Sequence, residues 1–271
     1  MEFATKLLER TGKGYLSYSA IKYAADGSKN QDMKLFELYV KGKLRKDSPA
    51  MSFGSLYDCM LLEPEKVNDR FFFLDDSEKI QEIGGKSPRA TKVYKDWKEE
   101  QELEAVATGK RVVSEEDMTK AIDMINRLDE SEVVMPETGE IMPVREFLKG
   151  TAQQEIVGWI DEVPIRGFLD VHGGSFITDS KTTRSISGFR YDVRGFDYDI
   201  QAYMYSKHEG INDFYWVVQD TTSPYLCGVF KASETTLQYG EMKFQSAINN
   251  IRRWLDAPTK EAHSFALFGE I

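Results

Sequence analysis

The sequence predicts an α/β (α+β) domain in which helices flank a mixed central sheet. Three observations predict it. Apolar residues recur at helical spacing through much of the first ~150 residues, and from Glu155 the pattern changes to short strand-like runs. The chain then carries a long amphipathic stretch from Ser233, with Leu237, Phe244, Ile248, Ile251 and Leu255 on one stripe.

The first ~65 residues read as helical. Ser17 or Ser19 is the N-cap of a helix over Ala20–Ala25. A second helix opens near Gly54, runs through Leu56, Met60 and Leu61, and stops before Pro64. Residues 66–110 are polar and irregular, broken at Gly84-Gly85 and Ser87-Pro88, with a charged helix over Tyr94–Glu104. Ser114-Glu115-Glu116-Asp117 resembles a capping box. Met118, Ala121, Ile122, Ile125 and Leu128 follow it at helical spacing. This middle part has too little apolar mass for a core of its own, so it reads as a helical insertion. Strands are expected at Glu155–Ile160, Pro164–Val171 and Phe176–Thr182, then a helix around Tyr198–Lys207. Phe214–Gln219 and Tyr225–Lys231 form an antiparallel pair across Thr221–Pro224. The expected organisation is one domain over 1–271, mainly helical in 1–150, with the sheet core and C-terminal helix in 151–271.

Composition narrows the function classes. The chain has 271 residues, no run of 18 apolar residues, and an N-terminus without the basic start and apolar segment of a signal peptide, so no membrane span is expected. Two cysteines, Cys59 and Cys227, cannot supply a four-thiolate zinc site or iron–sulfur cluster, and they fit a reducing cytoplasm. Net charge is −10, yet residues 166–194 hold five Lys/Arg against three Asp, a net of +2 that leaves −12 for the rest. A locally basic site on an acidic body suits a confined channel for a polyanion.

The chemistry concentrates between Gly167-Phe168-Leu169-Asp170 and Asp179-Ser180-Lys181-Thr182-Thr183. His172-Gly173-Gly174-Ser175 between these runs supplies turn residues, so the segment reads as a β-hairpin. A turn centred on Gly173-Gly174 places Asp170 across from Ile177, and then Asp170, Asp179 and Lys181 share a face; a turn shifting the register by one residue breaks that coincidence. Two adjacent carboxylates repel and call for a cation. Asp170, Asp179 and the backbone carbonyl of Ser180 are hard oxygen ligands suited to Mg²⁺. Such a metal polarises a phosphodiester and lowers the pKa of an attacking water, while Lys181 orients that water or offsets transition-state charge. Farther on, Gln201 and Tyr205 stand four apart on one helix face. There Gln201 reaches a phosphate or base edge and Tyr205 packs on the sugar-phosphate chain. Arg184 and Arg190 are candidates for bidentate contact with a terminal phosphate, as is Arg89.

In order, these pieces resemble the PD-(D/E)xK nuclease superfamily, particularly its RecE-like phage-type exonucleases of the exonuclease VIII kind. Besides the two hairpin motifs and Asp199-Ile200-Gln201-Ala202-Tyr203-Met204-Tyr205, the resemblance takes in Tyr15-Leu16-Ser17-Tyr18-Ser19, Phe53-Gly54-Ser55-Leu56, Leu61-Leu62-Glu63-Pro64 and Ser114-Glu115-Glu116-Asp117. It implies a restriction-endonuclease-like core. Asp170 would be the metal-bridging aspartate, Asp179 and Lys181 the acidic-x-Lys signature, and Gln201 with Tyr205 the Gln-x3-Tyr motif. Thr182 and Thr183 would lie along the DNA, and Glu155 would take a supporting catalytic role, with Asp161 and Glu162 nearby. Relatives carry a metal-ligating His where this chain has Asp58, and His172, His208 and His263 do not restore it by position. Asp58 would then be a further oxygen ligand.

The resemblance implies a Mg²⁺-dependent exonuclease, with Mn²⁺ as a substitute. It would degrade one strand of linear duplex DNA, 5′ to 3′, in the cytoplasm of a bacterial host or as a phage product. A homo-oligomeric ring and a single-strand annealing recombinase are the implied partners. The four-cysteine RecB-like nucleases do not fit two cysteines. The alternative of another class is a catalytically weak nuclease fold serving as a DNA-binding or interaction module.

Overall fold

The computed structural model describes residues 2–44 and 49–257. Two compact units divide the chain: residues 1–47 with 131–271, and residues 48–130 between them.

The first unit opens with three helices. These are α1 (Glu2–Thr11), α2 (Tyr18–Ile21) and α3 (Met33–Val40). Ser17 caps α2 by accepting the Ala20 N–H, and Asp32 caps α3 through the Lys34 and Leu35 amides at 2.7 and 3.2 Å. Only the start of the expected helix over Ala20–Ala25 is regular, because α2 gives way to turns after Ile21.

The second unit contains α4 (Pro49–Leu62), α5 (Val67–Arg70), β1 (Phe71–Leu74), α6 (Ser77–Ile83), α7 (Lys92–Ala107), β2 (Arg111–Ser114) and α8 (Glu115–Asp129). In 66–110, α7 contains the expected charged helix over Tyr94–Glu104, while β1 is a strand that the sequence pattern does not announce; it pairs in parallel with β2 from Phe71↔Arg111 to Leu74↔Ser114. The strands are four residues each, too short for periodicity to reveal. Ser114 caps α8 through the Asp117 amide, and Ala121, Met124 and Leu128 are buried along that helix. Arg89 grips Asp76 in a two-point ion pair at 2.8 and 3.0 Å while the Tyr94 hydroxyl donates to the same carboxylate at 2.6 Å. Arg89, a phosphate-contact candidate in the sequence, here ties this unit together through Asp76.

The first unit resumes with β3 (Glu132–Val134) and β4 (Ile141–Pro143), a small antiparallel pair. The main sheet follows as β5 (Thr151–Ile160), β6 (Val163–His172), β7 (Ile177–Thr183), β8 (Phe214–Asp220) and β9 (Cys227–Lys231), in that spatial order. Every pairing is antiparallel except β7 with β8, so the sheet is mixed as expected. Between β7 and β8 lie α9 (Phe189–Gly195) and α10 (Tyr198–Glu209), the crossover that a parallel pair requires. The long helix α11 (Glu234–Asp256) is capped by Ser233, as its sequence predicts.

The core of this unit lies around α10, which is buried continuously from Asp199 to Ser206. Two glycines let its neighbours come close: a Cβ on Gly240 of α11 would stand 2.1 Å from the Asp199 carbonyl oxygen, and one on Gly158 of β5 would stand 2.3 Å from His208 Nε2. Asp197, at φ 63°, starts the helix with its carboxylate held by the Ser28 hydroxyl at 2.6 Å and the Lys243 ammonium at 2.9 Å. The fully buried Asp197 carboxylate is thereby satisfied.

Candidate active site

The hairpin formed by β6 and β7 has a wider turn than the sequence reading assumed. Val171 pairs with Thr178 and His172 with Ile177, and the Gly173 amide closes the loop by donating to the Phe176 carbonyl. Continuing that register sets Asp170 opposite Asp179 rather than opposite Ile177. The shift is two residues, an even number, so Asp170, Asp179 and Lys181 keep a common side. Regular pairing stops there. The Ser180 amide instead donates to the Asp170 carboxylate at 2.8 Å.

Both carboxylates are held from several directions. Asp170 Oδ1 accepts the Gln153 side-chain amide of β5 at 3.0 Å. Gln153 sits at φ 48°, a conformation uncommon for a residue with a side chain, in the position that faces Asp170 in the β5–β6 register. Asp179 Oδ1 accepts the Gln201 amide of α10 at 2.6 Å, and Asp179 Oδ2 faces the Lys181 ammonium. The Lys181 Nζ also lies 4.9 Å above the Tyr198 ring, a cation–π contact that fixes the other side of the ammonium.

Burial sets the electrostatics. It pushes the Asp179 carboxyl up to about 7, Asp170's charge adds to the push, and Lys181 and Gln201 oppose it. For Lys181 burial works against the charge, but the fields of Asp179, Tyr198 and Asp170 outweigh it and hold the amine above its ordinary range. Once Asp179 is ionised, the cluster is two carboxylates against one ammonium, short of one positive charge. Tyr205 feels Asp179 and Asp170, and burial holds its phenol well above the usual value. Its ring rests on the bare backbone of Gly167, where a Cβ would stand 2.7 Å from Cε1 and 2.9 Å from the hydroxyl.

The donor set fits a hard divalent cation. Each carboxylate has lone pairs left beyond its hydrogen bonds, and Asp179 gives up its proton more readily once a cation stands beside it. Among the described residues no group of three or more His, Cys, Asp and Glu gathers into a preformed cage. Mg²⁺ does not need one, since it commonly takes one or two carboxylates and completes its shell with water and phosphate.

The structure thus brings together Asp170 of β6 with Asp179 and Lys181 of β7 and Gln201 and Tyr205 of α10, and Ser180, buried next to Asp179, donates its amide to Asp170. Thr182 and Thr183 continue β7, half-buried, and the Thr183 hydroxyl reaches Asp192 of α9 at 3.3 Å. Arg184 is exposed just past the strand, and Arg190 is exposed on α9. Glu155 is exposed on β5 opposite Phe168, on the side of the sheet that carries Asp170, and pairs with Arg166 at 2.5 Å. Asp161 and Glu162 form the two-residue turn joining Ile160 to Val163, at the end of that hairpin remote from Asp170. Asp58 is half-buried on α4 of the second unit, so its role as a ligand remains an expectation of the resemblance. His172 meets Glu209 at 3.2 Å, and His263 lies outside the described residues.

Sequence reasoning missed Gln153 and Tyr198, and gave no role to Tyr18 within the Tyr15–Ser19 motif. Tyr18 donates its hydroxyl to the Phe196 carbonyl at 2.6 Å and lies in the field of Asp179, Tyr198 and Tyr205. No motif marks Gln153, and only the β5–β6 register reveals it. Tyr198 was within reach, since it opens the helix that carries Gln201.

A family profile described as a PDDEXK-like domain of unknown function (DUF3799) matches residues 17–262. Among solved structures, the chain is similar to the crystal structure of a protein from Eubacterium rectale named "Putative exonuclease". The TM-score is 0.60 at 15% identity, covering 93% of this chain and 84% of that one. At that identity the likeness establishes the fold. No curated protein matches the chain at a significant level.

Proposed function

The chain belongs to this family of PDDEXK-like domains, and from that premise we propose that it is a metal-dependent nuclease degrading one strand of linear double-stranded DNA from its end, 5′ to 3′. The observation that carries the reading is the pair of carboxylates at Asp170 and Asp179, locked by Ser180 and Gln201 and facing one ammonium at Lys181. Asp170, Asp179 and the Ser180 carbonyl would hold Mg²⁺, or Mn²⁺ in its place, which when bound supplies Lewis-acid activation of phosphate and water.

The chain's own residues do the rest. Lys181 keeps its proton and offers positive charge to the phosphate as negative charge develops on it. Gln201 and Gln153 fix the orientation of the two carboxylates so that neither swings away when the substrate enters. Tyr205 stiffens the same point through its seat on Gly167. Thr182, Thr183, Arg184 and Arg190 would contact the strand beyond the cut, and Glu155 with Arg166 would border it. The name of the E. rectale protein favours action at ends over internal cutting. A homo-oligomeric ring enclosing the duplex, and a recombinase that anneals the exposed strand, complete the proposal. The basic window at 166–194 on an otherwise acidic chain supports the ring. No helix among the described residues is long and apolar enough to cross a membrane.

The test is to incubate the protein with linear and with closed circular duplex DNA, in Mg²⁺ or in EDTA. Mg²⁺-dependent loss of the linear DNA alone is expected. Cutting of the circle would make the enzyme an endonuclease, and a well-folded sample that cuts neither, even with Mn²⁺, would favour a binding module.

A further inference from the structure

A second feature lies one aromatic layer away from Lys181. Phe189 of α9 stacks on Tyr198, with ring centroids 6.1 Å apart and 27° between planes, and Tyr198 carries the Lys181 ammonium on its ring. Behind Phe189 is a cavity of about 380 Å³ between α9, α11, β8 and β9, within the ~300–1,000 Å³ usual for small-ligand sites.

Its lining has an unusual chemistry. Arg190 lies 5.2 Å from the Tyr191 ring and Arg194 lies 4.3 Å from the Tyr239 ring; neither guanidinium forms an ion pair among the described residues, and Asp199, the carboxylate in the same lining, is paired with Lys243 at 3.0 Å. Tyr191 is 70% exposed and Tyr239 41%, so both rings can accept a flat ligand. Trp216, also in the lining, is 2% exposed, yet its Nε1–H has no hydrogen-bond partner. A buried indole N–H without an acceptor is costly. Two free planar cations suit a phosphate, which guanidinium binds in two-point fashion. Exposed aromatic rings suit a base, which stacks on them whatever its identity.

We propose that this cavity is a nucleotide subsite: it takes one nucleoside 5′-monophosphate, its phosphate on Arg190 and Arg194 and its base against Tyr191 and Tyr239. The nucleotide is either the free product or the terminal unit of a strand. Its role in degradation rests on the nuclease reading, but its existence does not.

The experiment is a calorimetric titration of the full chain with dAMP in EDTA, where no cleavage occurs, alongside deoxyadenosine, inorganic phosphate, and an oligonucleotide with and without a 5′-phosphate. Saturable dAMP binding is expected, with deoxyadenosine and phosphate each weaker by about tenfold or more. The double variant Arg190→Ala, Arg194→Ala should lose about tenfold or more in dAMP affinity while its melting temperature, read in parallel, stays unchanged. Competition by only the 5′-phosphorylated oligonucleotide identifies a strand terminus, and its absence identifies a product site. The proposal is overturned if dAMP does not bind, if phosphate alone binds as tightly, or if the double variant binds dAMP unchanged. Cleavage measured separately in Mg²⁺ keeps the two readings apart: cleavage without dAMP binding removes only the subsite, and dAMP binding without cleavage removes only the nuclease.

Discussion

The Asp170 carboxylate accepts the backbone N–H of Ser180 at 2.8 Å, at the point where regular β6–β7 pairing ends. A side chain thus takes over the ladder's next hydrogen bond. The two strands can part there without leaving a buried donor unsatisfied, and the parting makes room for chemistry between Asp170 and Asp179.

Gly167 and Tyr205 should prove inseparable. Gly167→Ala puts a methyl carbon 2.7 Å from the Tyr205 ring and is expected to destabilise the protein by about 1–3 kcal/mol in denaturant melts. Adding Tyr205→Ala should recover part of that cost, because the second change removes the obstacle. Simple addition of the two single effects would contradict the packing described.

The pH dependence follows from Asp179. Its carboxyl is raised by burial from 3.8 to about 7, so between those values the folded chain holds a proton that the unfolded chain has released. Stability from this group is fully present below about pH 4, falls as pH rises, and levels off above about pH 7. In EDTA, the stability of the wild type relative to Asp179→Asn should decline over that window. Mg²⁺ binding shows the opposite trend because it needs the carboxylate, and the apparent affinity should drop about tenfold per pH unit below 7.

Gln201 favours the ionised form of Asp179 through the 2.6 Å amide contact, against the burial that raises the carboxyl. Gln201→Ala should therefore move the midpoint of the Mg²⁺-binding pH profile upward. It should also cost about 1–3 kcal/mol of stability at pH 8 in EDTA, where the carboxylate is left short of a donor. A profile that keeps its midpoint would mean that Gln201 contributes packing alone.

Much of this arrangement was legible in the sequence because strong local signals coincided with it. Ser114 and Ser233 cap their helices through side chains whose preference for that position is local. The strands at Val163–His172 and Ile177–Thr183 lie within a residue or two of their expected bounds. Hairpin register was less accessible. Gly173-Gly174 announces a turn, but its length depends on the Gly173–Phe176 closure, which no pattern encodes. The two-residue error left the face of Asp170 unchanged only because strand side chains alternate. Glu155 shows what a motif's position alone does not supply: it lies on the Asp170 side of the sheet, paired with Arg166, a partner that no motif announces. Gln153 stayed hidden for the converse reason, since its importance depends on a left-handed backbone and a partner 17 residues away.

The most direct test of the central claim is the rate of nucleotide release from end-labelled linear duplex, measured in single turnover with Mg²⁺ for the wild type, Lys181→Ala and Asp179→Asn. Each variant should lose about 10²–10⁴-fold in rate while remaining folded by circular dichroism, and EDTA should abolish the wild-type signal. Release that persists at the wild-type rate in folded Lys181→Ala would contradict the assignment of this cluster as the catalytic centre.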